Sequence, residues 1–251
     1  MLNNKKVVVV IPAYNSCLTL EETFNNIPKD FMDDVILVDD CSKDNTVEIA
    51  KKLNIKTFTH KTNSGYGANQ KTCYKEALGI GADIVIMVHP DNQYDPKLVP
   101  AIADILAYGE YDCVIASRFL NNGAKYSKMP RYKYFANKFL TAFENMLTGT
   151  KLSEYHSGYR AFNRKILENL PMDKMSNGFV FDNEMLSYII FNNYKIAEIS
   201  CPARYFKNSS SIDFKNSCVY GFGVLRVSIQ HFFAKLGMKS KLLKEDTKKQ
   251  K

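Results

Sequence analysis

Four consecutive valines followed by isoleucine, proline and alanine (VVVVIPA, residues 7–13) leave no polar side to face water. Such a run is a strand covered on both faces, and it recurs in DVILVDD at 34–40, IKTFTH at 55–60, DIVIMVH at 83–89 and YDCVIASR at 111–118. Continuous β-branched strands of this kind belong to parallel sheets with crossover helices. The segments between them carry helical spacing, at Leu18–Ile27, Thr46–Leu53, Gly67–Leu78 and Pro96–Ala107. Ligands of open α/β sheets bind beyond the carboxyl ends of the strands. The polar clusters Pro12-Ala-Tyr-Asn15, Asp39-Asp40 and His89-Pro-Asp91 fall there. After a loop at 119–130 the pattern is less regular, with helices expected at 131–147, 164–169 and 181–193 and a short strand near 195–201.

The richest cluster is DIVIMVHPDNQYDP (83–96), where an apolar strand empties into His89, Asp91, Asn92 and Gln93. It reads either as a polar turn or as a site for a divalent cation and a phosphorylated ligand. A departing diphosphate needs its charge neutralised, and Mg²⁺ or Mn²⁺ held by carboxylate oxygens does this. Asp91 is the first acid past the strand and the natural ligand. Asp95-Pro96 suits a helix cap. His89, beside a proline, reads as a strand-end residue before it reads as a ligand for a softer ion. Asp39 and Asp40 end the second strand, where a carboxylate accepts hydrogen bonds from a base N–H or a ribose hydroxyl. Asp44 or Asn45 then caps the next helix. Gly65 and Gly67 precede a helix without the spacing of a phosphate-cradling loop or a dinucleotide fingerprint.

At 251 residues and 45% hydrophobic content the chain can bury a sizeable core. Between Lys235 and Lys251 stand seven lysines against Glu245 and Asp246, which is five of the net +8. With the charge concentrated in a tail whose last eighteen residues hold no aromatic, nucleic-acid binding has little support. The tail reads as a solvated segment, or as a tether to anionic lipid. Six scattered cysteines show no metal-ligand spacing and read as small buried apolar groups of a reduced, cytoplasmic protein. The first apolar run is too short for a secretory core. The stretch 218–237 is too interrupted by Arg226, Gln230, His231 and Lys235 to span a bilayer. At helical spacing Phe222, Leu225, Ile229, Phe232, Phe233 and Leu236 share one face of it. That face is expected to pack on the domain itself, or else to lie on a membrane surface.

VVIPAYN, VDDCSKDNT, NSGYGANQ and HPDNQYDP, in that order and spacing, resemble inverting glycosyltransferase family 2. ASRF (116–119), SGYRAFNRKILENL (157–170), FVFDNEML and KIAEISCPARYFKNSSSIDF resemble its dolichyl-phosphate mannose synthase, or polyprenyl-phosphate glycosyltransferase, branch. The resemblance covers residues 6–216. It implies a GT-A nucleotide-diphospho-sugar transferase fold, a mixed, mostly parallel sheet flanked by helices. The chain then divides into a GT-A domain at 1–216, an amphipathic helix at 217–237 and a basic tail at 238–251. By matched position Pro12, Tyr14, Asn15, Asp39, Asp40 and Gly67 are the nucleotide-binding candidates. Asp91 and Gln93 are the candidates for holding the metal, Mg²⁺ or Mn²⁺. The family's usual Asp-Ala-Asp is His89-Pro90-Asp91 here, so its first carboxylate is missing.

Arg204 is the candidate for stabilising the leaving diphosphate, with Lys207 as its rival. The implied donor is a UDP- or GDP-linked sugar. For a lipid-phosphate acceptor, Arg118 and Arg131 or Lys133 are the candidate contacts. For a sugar hydroxyl in glycan assembly, Asp182 is the candidate general base, with Glu184 two residues on. The rival reading of Asp182 is a cap for the helix that follows it. Basic loop residues, the amphipathic helix and the lysine tail favour the lipid phosphate, with residues 217–251 touching the inner face of the membrane. A nucleotide-binding domain without turnover is the reading from a different class.

Overall fold

The computed structural model describes residues 2–120, 129–202 and 214–243, with the side chains of 214 and 215 left aside. Its strands are β1 (Val7–Ala13), β2 (Asp34–Asp39), β3 (Lys56–Thr59), β4 (Ile84–Met87), β5 (Cys113–Ser117), β6 (Arg160–Asn163) and β7 (Ile196–Ser200). They form one sheet in the order β3-β2-β1-β4-β6-β5-β7. β6 runs antiparallel to both β4 and β5, and the remaining pairs are parallel. The sheet is therefore mixed and mostly parallel. β6 is the strand that periodicity does not announce. Its four residues, Arg-Ala-Phe-Asn, carry no apolar run, and they are strand because they fill the slot between β4 and β5.

The helices are α1 (Leu20–Asn25), α2 (Thr46–Lys52), α3 (Tyr66–Gly79), α4 (Val99–Tyr108), α5 (Arg131–Thr148), α6 (Arg164–Asn169), α7 (Phe181–Phe191) and α8 (Phe214–Lys235). The valines of β1 alternate between two cores. Val8 and Val10 meet Tyr74 of α3, Ile166 of α6 and Met185 of α7. Val7, Val9 and Ile11 meet Leu20 of α1, Ala50 of α2 and Ile102 of α4. Val7 through Val10 are at most 1% exposed, each stabilising the fold by roughly 1.5–3 kcal/mol over an exposed position. With both faces covered, the carboxyl ends of β1, β2, β4 and β5 meet at one edge. Three non-glycine residues in left-handed conformation, Asn15 (φ +50°), Cys41 (φ +64°) and Asn92 (φ +55°), lie in the loops after β1, β2 and β4.

α8 packs on the domain, but through a different face from the expected one. Val224, Val227, Ser228, His231 and Ala234 are buried against α5 and α7, while Phe222, Ile229, Phe232, Phe233 and Leu236 are exposed. Small residues let the helices approach, and His231 is tolerated inside because Ser187 Oγ lies 2.9 Å from its Nδ1. Burial lowers the His231 imidazole to about 4, so it stays neutral at physiological pH. Lys235 Nζ donates to the carbonyl of Thr148 and so caps the end of α5. The cysteines divide in a way the sequence reading missed: Cys73, Cys113 and Cys201 are buried, but Cys17 and Cys41 are partly exposed and Cys218 is exposed. Among the described residues no helix is long and apolar enough to cross a membrane.

Candidate active site

The loop after β4 is held from outside by α1. Asn92 takes its left-handed turn with its side chain clamped: Thr23 Oγ1 donates to Asn92 Oδ1 (2.7 Å) and Asn92 Nδ2 donates to Glu22 Oε2 (2.7 Å). Thr19 donates to the carbonyl of Pro90. Inside this frame Asp91 Oδ1 accepts from the Gln93 backbone N–H at 3.0 Å, and Gln93 is 8% exposed. Asp95 accepts from the Lys97 N–H ahead of α4, the capping role its Pro96 suggested. Thr23 and Glu22 were not candidates from the sequence, and Asn92 stood in the polar cluster without a role of its own. An asparagine between Asp91 and Gln93 was the available signal, since asparagine tolerates the left-handed region. For Asn92→Ala we expect a loss of about 1–3 kcal/mol from strain and lost bonds, and a kcat about 10–100-fold lower because the flanking ligands shift. Asn92→Gly should recover part of the thermal midpoint but not the kcat.

A cavity of about 500 Å³ opens beside this loop. Its polar end holds His89, Asp91, Gln93, Arg118 and Asp182, and its other end runs between α5 and α8 past Phe139, Leu140, Phe222 and Leu225. Asp182 is not a helix cap. Val180 holds the cap position of α7, and Asp182 turns inward, 7% exposed. Tyr66 Oη donates to its Oδ2 (2.9 Å) and Gln70 Nε2 donates to its Oδ1 (3.0 Å). The guanidinium of Arg160, 1% exposed, stands 3.9 Å from the same carboxylate and donates to the Asp182 backbone carbonyl. Burial and the Asp182 charge push the Tyr66 phenol well above its ordinary value, so it remains a donor. His89 stacks on Tyr66 with ring centroids 5.7 Å apart. A Cβ on Gly158 would fall 2.5 Å from His89 Nε2, which explains a glycine there.

Arg118 comes from the end of β5 and forms a buried pair with Glu154: its backbone N–H and Nε each donate to that carboxylate at 2.7 Å. Lys133 lines the same cavity. Partial burial, and after it the Arg118 charge, lower its ammonium from the ordinary value. Glu184 accepts from the Ser176 N–H and does not line the cavity. Arg131, at the first residue of α5, is exposed and does not line the cavity either. Arg204 and Lys207 lie outside the described residues, as does most of the lysine tail.

The nucleotide-binding candidates form a second group at the ends of β1 and β2. Tyr14 is 47% exposed, and Pro12 is buried in β1. Asn15 Oδ1 accepts from the Lys43 N–H, and Asp39 accepts from the N–H and hydroxyl of Ser42. Asp40 is a loop organiser: it accepts from the N–H groups of Ser64 and Gly65 and lies 2.7 Å from His60 Nδ1. Gly67 is a close-approach position: its N–H donates to the Asn177 carbonyl, and a Cβ would fall 2.6 Å from the Ser176 oxygen.

Asp91 and Gln93 both line the cavity and offer hard oxygen atoms, the donor type that Mg²⁺ or Mn²⁺ takes. Among the described residues no three His, Cys, Asp or Glu side chains gather into a complete cage.

The family model of Glycosyl transferase family 2 matches residues 8–170. An uncharacterized protein of Methanocaldococcus jannaschii is 28% identical over 89% of this chain and 91% of its own length. The UDP-N-acetylglucosamine–dolichyl-phosphate N-acetylglucosaminyltransferase of Methanococcus voltae is 27% identical over 80% of this chain and 87% of its own. Among solved structures, glucosyl-3-phosphoglycerate synthase of Mycobacterium tuberculosis in complex with Mg²⁺ and UDP superposes with a TM-score of 0.69. The superposition covers 95% of this chain and 82% of that one at 20% identity, and the shared fold is of the GT-A type.

Proposed function

The chain belongs to glycosyltransferase family 2, and from that membership we propose that it transfers a sugar, with inversion, from a nucleotide-sugar donor to a polyprenyl phosphate. The observation that carries this reading is the single cavity that joins Asp91, Gln93, Arg118 and Lys133 to an apolar passage between α5 and α8. A lipid phosphate has this division of chemistry, an anionic head and a long apolar body.

Asp91 and Gln93 would hold Mg²⁺ or Mn²⁺, which when bound neutralises the diphosphate of the donor. Tyr14 offers an exposed ring beside Asn15 and Asp39 for the nucleoside. Lys133, with Arg118 behind it, draws the acceptor phosphate to the polar end by charge-assisted hydrogen bonds. The acceptor is already an anion, so attack on the anomeric carbon needs no residue to remove a proton. This agrees with the setting of Asp182. Its two oxygens are occupied by the bonds they accept from Tyr66 and Gln70, with Arg160 beside them. Asp182 instead keeps Tyr66 and Gln70 in place beside the reacting groups. The exposed rings of Phe135, Phe139, Phe222 and Phe232 on α5 and α8 suit contact with the inner face of a membrane, and the basic residues 238–251 follow α8 in the sequence.

The test is transfer of radiolabelled sugar from UDP- and GDP-sugars to a polyprenyl phosphate, scored as an organic-extractable, acid-labile product. A water-soluble glycan product instead would move the reading to a hydroxyl acceptor, and no product with bound nucleotide would leave a binding domain. In the same assay Lys133→Ala should raise the KM for the lipid phosphate about 10-fold while the donor KM stays put.

A further inference from the structure

Behind the cavity wall, four polar side chains from four different parts of the chain close on one another. Glu144 comes from α5, His156 from the segment before β6, Asn183 from α7 and Tyr220 from α8. Asn183 Nδ2 donates to Glu144 Oε1 at 2.7 Å, and Tyr220 Oη donates to Asn183 Oδ1 at 2.7 Å. His156 Nδ1 lies 2.9 Å from Tyr220 Oη. Glu144 Oε2 stands 3.3 Å from His156 Nε2. Both of these atoms are buried, and neither has another partner among the described residues. The side chains of Glu144 and His156 are 4% and 3% exposed.

Counting protons around the four residues fixes the direction of three bonds and leaves one proton to place, between Glu144 Oε2 and His156 Nε2. Tyr220 has one proton and gives it to Asn183, so its oxygen must accept from His156 Nδ1–H. Two lone pairs facing each other at that distance repel, so a proton belongs on one of the two atoms. On Nε2 it would make an ion pair of two buried charges, whereas on Oε2 it leaves both groups neutral, the state that burial favours. With that proton every donor in the circuit has one acceptor, all pointing the same way round. Burial pushes Glu144 up to about 8 and His156 down to about 3, so both are neutral around pH 7. The bonds from Asn183 and the charge of Arg160 act against the rise of Glu144 without reversing it.

We propose that Glu144 is a positioning residue of the transfer site, acting as a neutral carboxylic acid that closes a four-membered hydrogen-bond ring with His156, Tyr220 and Asn183. The inference rests on the function proposed above only for what the positioned groups do. His156 and Tyr220 line the cavity, and Glu144 itself does not. The carbonyl of His156 accepts from Arg118, and Asn183 directly follows Asp182. The ring thus ties α5 and α8, the walls of the apolar passage, to the two charged groups at its polar end.

The charged and titratable groups facing the ring can be named. Arg160 of β6 lowers Glu144, and Arg118 and Arg160 both lower His156. Glu144 and Asp182 raise Tyr220, and Tyr155 lies close enough to feel Glu144. A carboxyl raised in the folded state contributes stability that is whole below its unfolded value near 4.5. That stability is lost as pH rises through about 8. Deprotonation there breaks the ring beside the cavity.

The experiment uses the full chain and compares wild type with Glu144→Gln and Glu144→Ala between about pH 6 and pH 10. Glutamine reproduces the neutral acid, since its oxygen accepts from Asn183 and its amide donates to His156. The wild type should show an infrared band of a buried carboxylic acid that disappears with a midpoint near 8 and is missing in Glu144→Gln. Over the same range wild-type kcat should fall at least about fivefold and the thermal midpoint should drop, while Glu144→Gln shows neither change. Glu144→Ala should lose about 10-fold or more in kcat at neutral pH, and Glu144→Gln should restore most of it. The proposal is overturned if no such band exists at neutral pH, if it persists in Glu144→Gln, or if Glu144→Gln keeps the wild-type alkaline loss. A Glu144→Gln chain that does not fold overturns it too, because the neutral ring would then not be the native one. If no sugar transfer is found at all, the proposed function fails, and the infrared and thermal titrations still decide the ring.

Discussion

Replacing Asp91 with alanine is expected to lower sugar transfer by about 10³-fold or more, seen mainly in kcat rather than in the donor KM. The loop around it is held by Asn92, Thr23, Glu22 and Thr19, none of which depends on the Asp91 carboxylate. The change removes the bond from the Gln93 N–H, which costs about 1 kcal/mol, and the fold should persist. Charge on the diphosphate grows as the glycosidic bond breaks, so a group that anchors its counter-cation acts most strongly in the transition state. Asp91→Asn separates the two roles, keeping the acceptor for Gln93 while removing the charge. Transfer in Asp91→Asn close to wild type would show that the carboxylate does not carry the chemistry. Steady-state rates with Mg²⁺ and Mn²⁺ titrated against each variant give the answer.

The largest effect on stability is expected at Arg160. Its guanidinium is buried at 1% exposure and donates to three backbone carbonyls, those of Ser157, Asp182 and Tyr155. It also stands beside the buried Asp182 carboxylate. Arg160→Leu removes all of these and leaves an uncompensated buried charge, a loss of about 3–5 kcal/mol. For a chain of this size that corresponds to a thermal midpoint lower by roughly 10 °C. The double variant Arg160→Leu with Asp182→Asn should recover part of the loss, because the stranded charge is gone. A single variant within about 2 °C of wild type would mean the guanidinium is not the structural centre of the site.

The strands whose two faces are both covered were legible in the residues themselves. VVVVIPA and the centres of the next two runs, VILV in DVILVDD and IVIMV in DIVIMVH, are apolar throughout, and such runs suit a strand covered on both faces. Their carboxyl ends located the cluster that holds Asp91, whereas Arg118, Lys133 and Asp182 were picked out by the family resemblance; all of them line one cavity. Asp40 and Gly67 were harder. Their residue types suit a nucleotide, but their bonds run to Ser64, Gly65 and Asn177, partners that loop closure alone supplies. The packed face of α8 was misread because periodicity counts apolar residues, whereas packing here selected small ones and a histidine with a hydroxyl partner.

What the amino-acid order determined alone is whatever depends on near neighbours: strand and helix periods, the left-handed tolerance of Asn92, and the acid at the end of β4. What only the tertiary structure decided is which distant groups share a proton or a charge. Arg160 meets Asp182 across 22 residues, Arg118 meets Glu154 across 36, and Glu144 meets Asn183 across 39. Burial then raises the Glu144 carboxyl, because the cost of a charge depends on the atoms packed around it and not on its place in the chain.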